Sequence, residues 1–574
     1  MPPLSLLLFC HSILLLIPPL HASPPFSLCP PTGPVLPPPV LPAVPNPNTW
    51  ASLTNALTTF LLASEQPDSI WNSSTTSFSI AGTTADADFF EYHHTSSLRN
   101  SSGVFNVLAV LLEEEIWLEK GIGEFIPELN GTVVGSGNGN WDGDEWEDVT
   151  VRMLMSQIGA IPRNGYTFDS ALNSDDLVEL GFPALNDSDI PPCSLAPGMR
   201  MCSHDEFFAS FSEFPFTGAI GDRAAYSDLA YILLGYALEN VTGLSFEAVL
   251  KEKILDPLGL SDTGISNPGL SRSVIPLQGG LWVDADWAYY DKTAGMYSTT
   301  SDLTKFIRAI YNHTLLPPSQ TNSWLKPSVF TSQLDNSVGA PWEIFRPTTL
   351  LPPLPGKNGS RPIDHYTKSG DLPGFSSSYL VLVPEFELGV TILGMGPDAS
   401  VVVPLLLDLV QKELVPVFEE LARGQAEGVY AGRYESGVSN GVNGTGVIEL
   451  AVDEGPGLKV GKWMNGEIDM LRSLDVVMFG SEIEEAIPVD VRFYPLGVDE
   501  RWYVGWTKVQ AERMGGIEEK PGALRGGACM PWFSVDKFHY GKRRVDEVVF
   551  IEGQDGKVEG LDVPWLRETF DKVE

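Results

Sequence analysis

Two short polar motifs in this sequence hold side chains that could take part in acyl chemistry. Lys368-Ser369-Gly370 begins a stretch typical of a strand, and Tyr226-Ser227-Asp228 begins an apolar stretch typical of a helix. A lysine on an edge strand can orient the carboxylate of an acyl substrate, while the glycine lets a substrate backbone pass close to the strand. A tyrosine near such a lysine can have a lowered phenol pKa, which would allow it to act as a base.

Each motif also has a structural explanation. Lys368 could be a solvated lysine before a turn, and Tyr226 could be a packed tyrosine at the start of a core helix. Motifs of three residues arise by chance in long chains. The context of Lys368 favours a functional origin, because Pro373-Gly374 and then a predicted strand pair follow it. For Tyr226 taken alone, the structural explanation is the safer one.

The elements that must position these motifs are strands that flank a block of helices. Such an order is typical of an α+β fold, in which the terminal helices pack on the sheet. Period-two runs predict strands at residues 78–80, 89–94, 379–383 and 388–393. Period-3.6 runs predict helices at residues 50–64, 104–120 and 149–158, two helices within 226–260 of which the second is broken at Pro257, and helices at 303–311 with Ser301 as N-cap and at 404–422.

The N-terminus predicts export. Residues 4–20 are almost unbroken apolar residues, and Leu20-His21-Ala22 offers a small residue for cleavage, as in a secretory signal peptide. A membrane anchor is the alternative, but the stretch is short and contains Pro18 and Pro19, and neither flank is basic. We therefore expect a secreted, extracellular protein with no membrane contact after cleavage.

The pattern past about residue 428 differs from the rest. Short strand-like runs recur between turns and predict a separate antiparallel β domain, a small barrel. The predicted organisation is therefore a signal peptide (1–22), a proline-rich extended segment (23–48), an α+β domain (49–424) and a β-rich domain (425–574).

Sequons and cysteines favour the same secretory route. Four cysteines remain after signal removal, which predicts two disulfides. Cys193 with Cys202 would close a short loop, and Cys29 with Cys529 would tie the N-terminal segment to the C-terminal region. Buried free thiols are the alternative, and no Cys–His spacing indicates a metal site. Eight Asn-x-Ser/Thr sequons predict N-glycosylation, at Asn72, Asn100, Asn130, Asn186, Asn240, Asn312, Asn358 and Asn443.

The charge balance restricts the partners. The 574 residues include 74 Asp plus Glu against 36 Lys plus Arg, a net charge of -38. Such an excess argues against nucleic acid and anionic membranes as partners. A small-molecule acyl substrate is the expected partner if the protein is active, and no cofactor is expected.

The two motifs resemble the second and third motifs of the serine β-lactamase and penicillin-binding-protein superfamily. The chain is similar to secreted fungal β-lactamase-like proteins of the S12 peptidase type, and its C-terminal β domain resembles their extra domain. The resemblance implies a β-lactamase/transpeptidase-like fold, an antiparallel sheet packed between helices. Further matching segments lie at residues 113–115, 126–129, 149–154, 257–260, 294–303 and 341–343.

The resemblance also implies roles for individual residues. In this superfamily the serine of a Ser-x-x-Lys motif attacks an acyl group, and the lysine and the tyrosine, here Tyr226, activate that serine. Lys368, Ser369 and Gly370 would form the third motif, and the backbone N–H of Asp371 would contribute to the oxyanion hole. Asp228 stands where the family usually has Asn, and a carboxylate cannot donate a hydrogen bond to the substrate. Family substrates include β-lactams, peptidyl-D-Ala-D-Ala, esters and the polyketide acyl groups of secondary metabolism.

The nucleophile motif itself is missing from its expected place. An ungapped alignment puts Asn100 over the serine and Gly103 over the lysine, and a deletion between Gly103 and Val104 fits better. Ser101 or Ser102 could supply a hydroxyl, but Lys120 would lie roughly 27 Å away along a helix. Residues 323–326 and 534–537 match Ser-x-x-Lys by letters, outside the expected order.

Three hypotheses follow. The first is a secreted protein that keeps the fold and the site but is catalytically impaired. The second is an active hydrolase or acyltransferase whose transcript carries a further segment between Gly103 and Val104. The third is a noncatalytic binding protein that acts through its β domain.

Overall fold

The computed structural model describes most of the chain, and all structural statements concern that part. The chain divides into two compact units, the larger made of residues 41–350 and 362–417 and the smaller of residues 1–40, 351–361 and 418–574. The described residues are 32–42, 49–96, 99–100, 117–129, 145–169, 174–194, 199–265, 273–276, 287–353, 360–438, 444–507, 532 and 535–573.

The larger unit is built on one eight-stranded antiparallel sheet of order β2-β1-β10-β9-β8-β7-β6-β5, with β3 and β4 paired separately. Its strands are β1 Ser77–Thr83, β2 Asp88–His94, β3 Arg99–Asn100, β4 Ile275–Pro276, β5 Val329–Phe330, β6 Asn336–Val338, β7 Glu343–Phe345, β8 His365–Leu372, β9 Ser376–Val383 and β10 Leu388–Met395. Its helices are α1 Ala51–Ala63, α2 Glu145–Asp148, α3 Val151–Met155, α4 Ser174–Glu179, α5 His204–Ser210, α6 Asp228–Thr242, α7 Phe246–Leu250, α8 Asp256–Leu258, α9 Thr300–Tyr311, α10 Pro318–Trp324 and α11 Ala399–Tyr430, the last of which continues into the smaller unit. Short 3₁₀ turns occupy Ile122–Glu124, Pro127–Leu129, Gly165–Phe168, Asp187–Asp189, Ala288–Lys292 and Pro384–Phe386.

Helices cover both faces of this sheet, and two glycines of β10 show why they can approach closely. A Cβ at Gly389 would overlap Ile307 of α9, and a Cβ at Gly394 would overlap Val403 of α11. Positions 389 and 394 are an odd number apart, so they face opposite sides of the strand. Every residue of β10 is buried, as expected for a strand covered on both sides. The predicted α+β fold, with a sheet packed between helices, is confirmed.

The second half of the larger unit is a helical cluster around α6. The helix begins after Ser227, whose Oγ accepts a hydrogen bond from the backbone N–H of Ala230. It ends at Gly243, which takes the left-handed conformation (φ 69°). Most of its side chains are buried in one core with the Cys193–Cys202 disulfide. The predicted disulfide of these two cysteines is therefore formed, while Cys29 and Cys529 lie outside the described residues.

Several predicted helix bounds were wrong. Thr299, not Ser301, caps α9, because the Thr299 hydroxyl accepts from the N–H of Asp302. The run at 149–158 is helical only over Val151–Met155, since Gln157 takes a left-handed conformation (φ 61°). Pro257 does not break the helix: it lies within the first turn of α8, which follows a π-helical turn at Lys251–Leu255.

Two other helix predictions differ in extent. The run at 404–422 extends to Ala399–Tyr430 and keeps Pro404 and Pro416 inside it. Of the predicted helix 104–120, only 117–120 is described, and those residues form a turn. No single described helix has the length and apolarity to span a membrane, although the bent pair Asp228–Thr242 and Phe246–Leu258 passes that test jointly.

The smaller unit is a closed antiparallel barrel, as predicted. Its strands are β11 Gly432–Val438, β12 Thr445–Ala451, β13 Leu458–Asn465, β14 Ile468–Asp469, β15 Asp490–Pro495, β16 Arg501–Thr507, β17 His539–Tyr540, β18 Arg543–Arg544, β19 Glu547–Glu552, β20 Val558–Val563 and β21 Glu568–Lys572, with helix α12 at Met470–Phe479 and a 3₁₀ turn at Ile483–Glu485. The strand order is β12-β11-β21-β20-β19-β16-β15-β13-β14, and an additional pairing of β12 with β13 closes the ring.

The interior of this barrel is filled by aromatic side chains such as Trp463, Phe493, Trp502 and Phe570. Val35 and Leu36 of the proline-rich segment are buried in the same core.

The close packing of α11 on β10 can be tested with one methyl group. Gly394→Ala should lower the free energy of unfolding by about 1–3 kcal/mol, because the added Cβ overlaps a fully buried valine. Gly424→Ala is the matched control, since Gly424 is an exposed residue of α11 and a Cβ there meets nothing within 4 Å. The control should be neutral or stabilising by up to about 1 kcal/mol in chemical denaturation. Equal stability of Gly394→Ala and wild type would contradict this packing.

Candidate active site

Tyr226 lies just before the N-terminus of α6, and hydrogen bonds to the next residue, Ser227, fix the backbone there. The N–H of Ser227 donates to Gln157 Oε1 (2.7 Å), and Gln157 Nε2 donates to the Ser227 carbonyl (3.4 Å). The Ser227 hydroxyl donates to the carbonyl of Pro162 (2.8 Å) while it caps the helix. Both side chains are buried. The backbone around Tyr226 is therefore fixed, while its own side chain is 41% exposed.

Lys368 reaches Tyr226 from the sheet. On β8, the His365 side chain forms a hydrogen bond with Gln411 of α11. Side chains alternate between the two faces of a strand, so Tyr366 and Lys368 face the other side of the sheet. Lys368 Nζ lies 3.5 Å from the Tyr226 hydroxyl and 5.2 Å from the centre of its ring. Arg163 stacks over the same ring at 4.9 Å. The structure thus brings together the two motifs that the sequence separates by 142 residues.

Glu343 is the site residue that sequence reasoning did not assign. It lies on β7, opposite Thr367 of β8. Its carboxylate accepts from Lys368 Nζ (3.0 Å), from the Ser369 hydroxyl (2.7 Å) and from the Ser369 N–H (3.0 Å). The segment Pro341-Trp342-Glu343 was recognisable as a family match, but only the pairing of β7 with β8 shows that its carboxylate meets the lysine.

The ionisation of this pair differs from the sequence expectation. Burial alone would lower the pKa of Lys368, but the negative charge of Glu343 and the hydrogen bonds to Glu343 and Tyr226 outweigh it, so this pKa is raised. Burial of the Tyr226 hydroxyl raises its pKa, and the nearby Lys368 charge does not reverse that effect. Lys368 does lower the Tyr226 pKa, as expected, but the larger effect of burial leaves this pKa above its ordinary value, so a base role through a lowered pKa is not supported. At neutral pH the lysine is charged and the tyrosine is protonated.

Asp228, where the family usually has Asn, is accommodated by donors from its own chain. The hydroxyls of Tyr290 (2.8 Å) and Thr293 (3.4 Å) donate to its carboxylate. The amide of Asn164, oriented by its neighbours, donates to the same carboxylate (2.8 Å) and to the Tyr290 oxygen. Burial still raises the pKa of Asp228, in spite of these bonds and of the charges of Arg163 and Lys368. Its oxygens are thus engaged within the protein.

The open edge of β8 presents backbone N–H groups. β8 pairs with β9 over Tyr366–Leu372 but with β7 only over His365–Thr367. The Ser369 N–H points away from β9, since it donates to Glu343. The N–H of Asp371, two residues on, points to the same side in a regular strand. This places a backbone donor at the position that the superfamily resemblance assigns to the oxyanion hole, beyond Gly370.

Among the described residues, no Ser-x-x-Lys motif, which would supply the nucleophile and its lysine, lies at this site. Asn100 pairs through its backbone with Ile275 in the β3–β4 pair, and residues 101–116, which include Gly103 and Val104, lie outside the described part. Ser323 is exposed near the end of α10, and Lys326 lies beyond the end of that helix. Ser534 is also outside the described part. Among the described residues, no group of three His, Cys, Asp or Glu side chains is placed to hold a metal ion.

The sheet packed between helices defines a protein of β-lactamase/transpeptidase-like fold, and comparison with known proteins gives the family. The family described as Beta-lactamase matches residues 107–402, which is more than half of the chain. The one described as "Beta-lactamase-like-like, C-terminal domain" matches residues 422–574. The chain belongs to the beta-lactamase family.

Two relatives that align with most of this chain are fungal proteins. The chain is 27% identical over 543 residues to a beta-lactamase-like protein of Arthroderma benhamiae, covering 87% of this chain and 88% of that protein. It is 24% identical over 476 residues to a protein of Cochliobolus lunatus named "Probable hydrolase clz13", covering 76% and 72%. Among solved structures, a class C beta-lactamase aligns with 15% identity and a TM-score of 0.41, covering 64% of this chain and 96% of that one.

The state of Asp228 can be tested through the pH dependence of stability. The folded state binds the Asp228 proton more tightly than the unfolded state, because its pKa is raised from 3.8. Wild type should therefore gain stability relative to Asp228→Asn as the pH falls from 7 towards 4. Denaturant unfolding of both proteins at several pH values measures this difference. A stability difference that is constant over this range would show that Asp228 is not desolvated.

Proposed function

We propose that this protein is a secreted member of the beta-lactamase family that retains an acyl-compound site around Tyr226 and Lys368 but is impaired in acyl transfer. One observation carries the proposal. The second and third motifs meet, with Lys368 Nζ 3.5 Å from the Tyr226 hydroxyl, in a sequence without a Ser-x-x-Lys motif where the family carries it. The match to the family begins only at residue 107, beyond that place.

The charge states at the site support impairment. A serine hydroxyl becomes a useful nucleophile only when a neighbouring base takes its proton. Lys368 is held protonated by Glu343, and Tyr226 keeps its proton at neutral pH. The Ser369 hydroxyl donates to Glu343, a carboxylate that also accepts from Lys368 and from the Ser369 N–H. Binding and oxyanion stabilisation without a nucleophile leave activity orders of magnitude lower.

Active hydrolysis is the second candidate. Residues 98–103 resemble the turn before the missing strand, and the recognised family match starts at residue 107, just after Gly103-Val104. A transcript with a further segment at this junction that encodes Ser-x-x-Lys would support an active enzyme. A transcript that encodes this chain without interruption supports impairment.

Purified protein distinguishes the two candidates directly. We expect no covalent adduct by intact mass after treatment with a fluorophosphonate or a penicillin. Hydrolysis of nitrocefin and of a fluorogenic ester should not exceed that of Tyr226→Phe, with thermal melting as the control for folding. A serine adduct, or turnover that Tyr226→Phe abolishes, would refute the impaired function.

Secretion is supported by the disulfide and by the sequons. The Cys193–Cys202 disulfide is typical of an oxidising compartment. Of the eight sequon asparagines, the four whose side chains are described are all exposed, as a glycan acceptor must be: Asn72, Asn186, Asn240 and Asn312.

Glycosylation can be measured on protein expressed in a eukaryotic host. The protein should appear in the medium with a mass above that of its sequence, and peptide N-glycosidase should remove the excess. Ser188→Ala removes the Asn186 sequon but keeps the bonds of Asn186 to Asp189, so it should lose one glycan without loss of stability, because Ser188 is exposed. Retention inside the cells with no glycan would contradict secretion.

A further inference from the structure

Two cations lie over the Tyr226 ring, Lys368 from the sheet and Arg163 from the loop that follows α3. The guanidinium carbon of Arg163 is 4.9 Å from the centre of the ring, and Lys368 Nζ is 5.2 Å from the same centre. Both distances are within the range of a cation–π interaction. The exposed part of Tyr226 therefore lies beside two positive charges, and these charges differ in their other partners.

Lys368 shares its charge with a carboxylate, whereas Arg163 does not. Lys368 Nζ lies 3.0 Å from a carboxylate oxygen of Glu343. The Arg163 side chain is exposed, and its guanidinium forms no ion pair or hydrogen bond with any residue that the structure describes. An anion that contacts Arg163 would therefore gain an ion pair without breaking an existing one.

The free guanidinium stands out in a chain rich in carboxylates. The sequence has 74 Asp plus Glu against 36 Lys plus Arg, so partners for an arginine are plentiful. Other exposed arginines near the site in sequence do have one. Arg152 pairs with Glu119, and Arg223 pairs with Asp222.

Asp228 does not serve as the partner of Arg163. The charge of Arg163 acts on Asp228, but the hydroxyls of Tyr290 and Thr293 and the amide of Asn164 are the described donors to its carboxylate. Arg163 is not among these donors. Its charge thus stabilises Asp228 from a distance and leaves the N–H groups of the guanidinium for a ligand.

The backbone of Arg163 is attached to the same helix start as Tyr226. Its carbonyl accepts from the N–H groups of Asp228 (3.0 Å) and Leu229 (3.2 Å), the first two residues of α6. These N–H groups are already bonded, so the guanidinium is the donor that this end of the site presents. A planar guanidinium binds a carboxylate with two parallel hydrogen bonds, which a lysine cannot do.

We propose that Arg163 is a specificity-determining residue of this site, where its guanidinium binds the carboxylate of an acyl compound that lies against Tyr226. The inference rests on the proposed function, since it assumes that the site binds acyl compounds. It adds the residue that recognises the charged end of the ligand, and it does not depend on whether the ligand reacts.

A matched pair of ligands tests this role. Benzylpenicillin and its methyl ester differ by the charge of one carboxylate, and calorimetric titration gives both dissociation constants. We expect wild type to bind the acid at least about fivefold more tightly than the ester, because a charge-assisted pair is added. Arg163→Gln should weaken binding of the acid about tenfold, which corresponds to about 1.4 kcal/mol, and change binding of the ester less than about twofold. Arg163→Lys should retain part of the affinity, since it keeps the charge but not the paired donors.

Two controls accompany the titrations. Arg543→Gln removes the same charge from an exposed arginine of β18 that forms no ion pair with a described residue, and it should leave both affinities unchanged. Added salt should weaken wild-type binding of the acid but not of the ester, because an exposed charge is screened. The wild-type measurements need no variant, so they decide the matter even if Arg163→Gln fails to fold.

The outcomes separate this inference from the proposed function. Equal or weaker binding of the acid by wild type, or an unchanged affinity for the acid in a folded Arg163→Gln, would overturn the role of Arg163 alone. No binding of either compound by wild type would overturn the acyl-compound site and this role with it. A covalent adduct by intact mass would refute the impaired function, and the rates of its formation from the two compounds would then measure the contribution of Arg163.

Discussion

The contact of Lys368 with Glu343 determines the character of the site. The lysine that faces Tyr226 from the sheet has a side chain only 16% exposed, and a largely buried ammonium needs a partner that compensates its desolvation. β7 supplies this partner. Glu343 is its first residue and the last to pair with β8 in that direction, so the carboxylate reaches both Lys368 and Ser369. Because β7 does not extend beyond this pair, the N–H of Asp371 lies on an open edge of β8. One strand end therefore fixes the charge of the lysine and exposes the backbone donor.

The helical side is positioned by a different constraint. Tyr226 precedes a helix N-terminus, where the chain must leave the extended conformation within one residue. Gln157 bonds both backbone groups of Ser227 and takes a left-handed conformation itself. A buried non-glycine residue in that conformation is tolerated only where its surroundings require it. The short distance between Tyr226 and Lys368 thus depends on two rigid attachments, one on the sheet and one on the helix.

The sequence predicted what is encoded locally. Two apolar runs around a turn identified β9 and β10, turn spacing identified the barrel, and the polar motifs identified Tyr226 and Lys368. Glu343 could not be assigned in this way, because its role arises from the pairing of strands that are distant in sequence. The sign of the Tyr226 pKa shift was missed for a related reason. A neighbouring cation can be inferred from a motif, whereas the burial that outweighs it depends on the packed structure.

The missing serine–lysine pair and the two carboxylates have a common physical consequence. An active site of this family needs a cation that is free to respond to the charge developing on the substrate. Here Glu343 already engages Lys368, and Asp228 replaces a neutral amide with a second negative charge. Such an arrangement stabilises the resting protein and opposes a developing oxyanion nearby. Under the function that we propose, these carboxylates would weaken catalysis even if a nucleophile were restored, so the proposed impairment would involve the site as well as the missing motif.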